Sequence, residues 1–93
     1  MKISKKKKEK VSEQILALLF SINPKSLFTL HIAQEIARDE EFIKKLLLDL
    51  KKKKLVVEIK KNPKGVPYLR RSRWKLKDEV YKIYKNNQTL LKF

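Results

Sequence analysis

"HIAQEIARDEEFIKKLLLDLKKKKLV", residues 31–56, holds two helix signals in succession and then the start of a strand. In its first part Ile32, Ala33, Ile36 and Ala37 recur at helical spacing with Leu30 just upstream, and Thr29 is placed to cap that helix. Asp39 reads as a second N-cap, with Glu40 and Glu41 in the first turn, where the helix dipole favours carboxylates. Ile43, Leu46, Leu47 and Leu50 then make one apolar stripe, surrounded by Lys44, Lys45, Asp49 and the lysines at 51–54. Leu48 falls off that stripe and is expected at the surface, either as an ordinary exposed leucine or as a partner contact.

Downstream, residues 55–61 ("LVVEIKK") are β-branched and alternate, which predicts a strand with Leu55, Val57 and Ile59 on one face. Asn62, Pro63, Lys64 and Gly65, the only glycine, suit a type I turn. Trp74 and Leu76 lie two apart on the returning strand. Pairing Leu55 with Leu76 would put Val57 opposite Trp74 and Ile59 opposite Ser72. Upstream, Val11, Ile15, Leu18, Leu19 and Ile22 predict a first helix that Asn23-Pro24 stops, followed by a short extended piece at 26–28. Val80, Ile83, Tyr84 and Leu91 predict a last helix. The organisation expected is a basic N-terminal arm at 1–10 and a single domain at 11–93.

Composition narrows the function. The chain has 93 residues, the length of one domain, with 25 Lys+Arg against 10 Asp+Glu and a net charge of +15. A negatively charged partner follows, nucleic acid first and an anionic membrane surface second. Hydrophobic residues make up 42%, enough for a core rather than a disordered basic tail. The absence of cysteine excludes a disulfide scaffold, a zinc finger and a thiol nucleophile. No apolar run reaches the roughly 18 residues of a membrane span, and the start of the chain lacks a signal-peptide pattern, so an intracellular soluble domain is expected. His31 stands alone without metal-ligand company, and the acids at 39–41 are explained by capping. With no nucleophile, base and orienter set and no cofactor loop, neither an enzyme nor a cofactor, metal or small-molecule site is expected.

The order helix, short strand, helix, helix, hairpin, helix resembles the winged-helix family, most closely its bacterial- and archaeal-type regulator domains. Residues 31–56 are similar to the family pattern Glu-Leu-Ala, a helix cap, Val-x-x-Leu-Leu-x-x-Leu and Lys-Gly-Leu-Val. Ile32 and Ala33 stand at the Leu-Ala places, Asp39 at the cap, Ile43, Leu46, Leu47 and Leu50 at the buried places, and Leu55 with Val56 at the start of the wing. Lys54 replaces the family glycine, so the helix end must be capped otherwise or hold a lysine in a left-handed conformation. The fold class this implies is α+β: a three-helix core with a helix-turn-helix, a β-hairpin wing and a C-terminal helix.

The resemblance implies a recognition helix in the major groove and a wing along the backbone or minor groove. On this chain the helix would present Lys44 and Lys45 beside Glu40, Glu41 and Asp49. The wing would present Lys60, Lys61, Lys64, Arg70, Arg71 and Arg73. Residues 60–77 hold eight cations and no acid, beyond ordinary mixed-sign surface patterning. Tyr68 can stack a base or pack structurally, whereas Trp74 is expected in the core. The function expected is duplex-DNA binding by a transcription regulator or chromatin-associated factor, cytoplasmic and nucleoid-associated, or nuclear in a eukaryote. The alternatives are an RNA-binding, ribosome-type winged helix and a protein-interaction winged helix. A homodimer is expected through Val80, Ile83 and Tyr84, with Tyr81, Leu90 and Phe93 adding apolar area; a membrane is not expected as a partner.

Overall fold

The computed structural model describes residues 4–91, with side chains as far as residue 87. Lys2, Phe93 and the side chains of Leu90 and Leu91, read above as parts of the arm and of the last apolar stripe, lie outside the described residues. In chain order the elements are α1 (Lys5–Ile22), β1 (Leu27–Phe28), α2 (Thr29–Ile36), α3 (Glu40–Lys52), β2 (Val56–Ile59), β3 (Arg73–Leu76) and α4 (Asp78–Leu91). The strands form an antiparallel sheet in the order β1-β3-β2. This is the α+β arrangement expected, with the short extended piece joining the hairpin as a third strand.

Helix α1 starts earlier than the periodicity suggests. Ser4 caps it, its hydroxyl accepting from Lys7 N–H at 3.2 Å, so residues 5–10 are helical rather than a separate arm. Lysine is a good helix former, and nothing between Ser4 and Val11 breaks the pattern. Val11, Ile15, Leu16 and Leu19 are buried, while Leu18 and Ile22 pack at the core's margin.

Helices α2 and α3 meet at a corner closed by local hydrogen bonds. Ala37 is left-handed at φ 60°, and Arg38 N–H donates back to the Ala33 carbonyl at 3.0 Å. Asp39 caps α3 as expected, its carboxylate accepting from Phe42 N–H at 3.2 Å. Ile43, Leu46, Leu47 and Leu50 are all buried, and Leu48 is exposed. The far end of α3 closes the same way: Lys54 is left-handed at φ 64°, Lys54 N–H bonds the Lys51 carbonyl and Leu55 N–H bonds the Leu50 carbonyl at 3.0 Å. That is a Schellman ending with lysine at the place glycine usually holds.

Thr29 does not cap α2. The cap position is Phe28, which makes no side-chain cap bond, and the Thr29 hydroxyl instead accepts from the indole N–H of Trp74 at 2.8 Å. A fully buried indole needs an acceptor, and that need outweighs a cap on a half-buried helix end. Trp74 is in the core as expected, 1% exposed.

The hairpin register differs from the expectation by one residue. Val56, not Leu55, faces Leu76, and Glu58 faces Trp74. Leu55 is taken up in closing α3, so the strand begins one residue later and its faces are exchanged. Val56 is therefore buried while Val57 is exposed.

The hairpin also breaks its own pairing. Ile59 faces Arg73, but the next residue, Lys60, accepts at its carbonyl from Tyr68 N–H at 2.7 Å, and Lys61 bridges to Pro67. Residues 69–72 are thus looped out between two paired stretches. At the tip, Gly65 N–H bonds the Asn62 carbonyl at 2.9 Å and Gly65 has φ 85°, which explains the placement of the sole glycine.

Helix α4 returns against α1. Tyr81 stacks on Phe20 with centroids 5.1 Å apart, Tyr84 meets Phe20 edge-on at 6.3 Å, and Val80 packs against the core.

Candidate nucleic-acid interface

Between the first turns of α3 and the hairpin lies an open cleft of about 630 Å³. Lys44 reaches it from α3, and Lys60, Tyr68, Arg70 and Arg71 from the hairpin, with Phe28 and Leu30 also lining it. Glu40 and Glu41 line it too, so its charge is mixed on the α3 side and cationic on the hairpin side. Among the described residues Lys44, Arg70 and Arg71 make no ion pair.

The remaining candidates are distributed elsewhere. Lys45 lies about 100° round the helix from Lys44 and faces a groove between α1 and α3 shared with Lys5, Lys8 and Lys53. Lys61 and Lys64 stand exposed by the hairpin turn. Arg73 borders a separate concavity beside Pro24, Lys25 and His31. One cleft therefore collects Lys44, Lys60, Tyr68, Arg70 and Arg71, and leaves Lys45, Lys61, Lys64 and Arg73 outside it.

An aromatic and guanidinium cluster underlies the hairpin side. The Phe28 ring has Arg71 at 4.8 Å and Arg73 at 5.0 Å, Tyr68 edge-on at 5.1 Å and His31 edge-on at 5.8 Å. Arg73 also lies 5.6 Å from the Tyr68 ring. Tyr68 is half-buried with its ring already against Phe28. Cation–π contacts of this kind fix long side chains before a ligand arrives and so reduce the ordering cost of binding. Phe28 is the site residue that sequence reading passed over. Its signal is register, because β1 pairs Phe28 with Arg73 across the sheet.

Glu58 offsets part of the hairpin's charge. Lys51 Nζ lies 2.7 Å from Glu58 Oε1, Ser72 Oγ–H donates to Oε2 at 2.6 Å, and Lys60 Nζ is 3.9 Å away. Burial pushes this carboxyl's pKa up. The bonds from Lys51 and Ser72, with the charges of Lys51 and Lys60, outweigh that effect and hold it below its ordinary value. Among the described residues no group of three His, Asp or Glu is placed to hold a metal ion, and no helix is long and apolar enough to cross a membrane.

A three-helix core with a tight α2–α3 corner and an antiparallel hairpin braced by a short third strand defines a winged helix. Solved structures bear the fold out. A Staphylococcus aureus MepR–DNA complex superposes with a TM-score of 0.71 at 20% identity, over 87% of this chain and 62% of that one. A Lactococcus lactis ZitR variant in apo form gives 0.68 at 19% identity, over 90% and 58%. The Zalpha domain of Carassius auratus PKZ in complex with Z-DNA gives 0.59 at 21%, over 76% and 98%. The chain thus spans about three-fifths of the MepR and ZitR chains and 98% of the Zalpha domain. No family model matches the sequence, and no curated protein matches it.

Proposed function

We propose that the protein binds duplex DNA as a transcription regulator or chromatin-associated factor, with α3 at the major groove and the hairpin along the adjoining backbone or minor groove. The observation that carries this reading is the cleft: Lys44 of α3 and Arg70 and Arg71 of the hairpin converge on one open face without ion-pair partners. Two structures of the same fold, MepR and the Zalpha domain, are complexes with DNA and Z-DNA, and they support the assignment. Lys61 and Lys64 extend the contact along the phosphates, Phe28 holds the Arg71 guanidinium in place, and Lys45 adds to the field without touching the groove.

A fluorescence-anisotropy titration of a duplex tests it. Contact with 6–10 phosphates lowers affinity by about 10³–10⁵ between roughly 50 and 200 mM salt. Arg70→Ala and Arg71→Ala each reduce the salt slope by about one, and Lys44→Ala weakens binding more than Lys45→Ala. A flat salt response overturns the proposal, and a strong preference for structured RNA moves the protein to an RNA-binding function.

A further inference from the structure

Of the looped-out residues 69–72, Arg70, Arg71 and Ser72 line the cleft, while Leu69 belongs neither to it nor to the core. Leu69 is 88% exposed, the most exposed large apolar side chain among the described residues. A lone exposed leucine is ordinary, but this one is displayed by a braced backbone. On one side Tyr68 N–H is bonded to Lys60 and the Tyr68 ring is set against Phe28. On the other, the Ser72 carbonyl accepts from Thr29 N–H at 3.3 Å and its hydroxyl is bonded to Glu58. Between these anchors Arg70 adopts φ 59°, a left-handed conformation unfavourable for a side chain of its kind, and Arg71 folds back over Phe28 at 4.8 Å. The result is an apolar projection followed directly in the chain by two arginines.

We propose that Leu69 is a wedge that enters the minor groove, partly unstacks a base step and kinks the duplex. The inference rests on the DNA-binding reading and goes beyond it. Apolar side chains inserted beside cations are the means by which minor-groove proteins exchange stacking for a bent, better-covered duplex. Arg70 and Arg71 supply the phosphate contacts that hold the groove over the leucine. The anchors at Tyr68 and Ser72 keep the projection from collapsing as it enters. Pyrimidine–purine steps, which unstack most readily, are its preferred sites.

The experiment uses the full chain and a duplex of about 30 base pairs, labelled at both ends for energy transfer and carrying 2-aminopurine at a central TA step. The wild-type protein bends the duplex by about 20–90° and raises 2-aminopurine emission. Leu69→Ala and Leu69→Asn abolish both signals, while affinity at low salt falls by less than about tenfold because the phosphate contacts remain. Since Leu69 supports no core, both variants fold, and circular dichroism verifies it. Binding to an unbent duplex, or a bend that survives Leu69→Ala, overturns the wedge and leaves the DNA-binding function standing. Absence of duplex binding even at low salt overturns both. Leu69-dependent binding to phosphatidylglycerol vesicles, with the duplex bend unaffected by the substitution, overturns the wedge in favour of a lipid surface.

Discussion

Glu58 occupies an inward-facing place on β2, directly across from Trp74, where an alternating strand would carry an apolar residue. Its carboxylate is tolerated there because Lys51 and Ser72 satisfy it, and the same bonds tie α3, β2 and the looped-out segment together. A folded-state pKa below the ordinary 4.5 means that this ionised group contributes stability fully above that value. The contribution is lost as pH falls from about 4.5 through the lower folded value. Glu58→Gln therefore destabilises the protein at neutral pH by about 1–2 kcal/mol. It also flattens the acid limb of the stability curve relative to wild type. Denaturant melts of both proteins across that range check it, and parallel curves would rule it out.

At the scale of elements, the C-terminal ends of α2 and α3 each hold a residue in an uncomfortable backbone conformation. Lys54 and Ala37 both occupy left-handed positions, while the single glycine is used at the hairpin tip. Lys54→Gly relieves the strain of a side chain at φ 64° and keeps the Schellman bonds. It stabilises the protein by about 1 kcal/mol, less the extra backbone entropy glycine brings to the unfolded chain. Thermal melts should show a rise of a few degrees, about 4–8 °C per kcal/mol for a domain of this size. An unchanged or lower midpoint would mean that Lys54 makes a compensating contact. This end of α3 also marks the limit of what the sequence discloses. The stripe of α3, the Asp39 cap and the Asn62 turn are local patterns and were legible. The strand register was not, because Leu55 satisfies a strand's alternation and a helix's closing motif equally well, and only packing decides between them. The cleft was legible as a set of cations but not as a geometry. Residues 69–72 carry no periodicity that announces an excursion, and Phe28 gains its role only when β1 pairs with Arg73.

At the scale of the whole molecule, the outer face of α4 bears apolar side chains that the domain's own core does not cover. Val80 is committed to its own core, but Ile83 is 59% exposed, and Tyr84, 38% exposed, sits beside Phe20 in a groove that also includes Leu16 and Ala17. We propose that two copies pair through this α4 face as a two-fold dimer, the symmetry that suits paired half-sites about one helical turn apart. Light scattering at moderate salt should give the mass of two chains, and Ile83→Lys with Tyr84→Lys should halve it. A single-chain mass for the wild type across micromolar concentrations would exclude the dimer.

The strand order bears on a different kind of association, edge to edge between sheets. With β3 in the centre, the two edges of the sheet belong to β1, which is two residues long, and β2, which is four. Lys54 stands just before β2, and Lys60 and Lys61 follow it. An edge this short, bracketed by lysines, offers another chain almost no backbone ladder to extend. If the proposed DNA binding holds, many copies can thus crowd side by side along a polyanion without their sheets joining into aggregates.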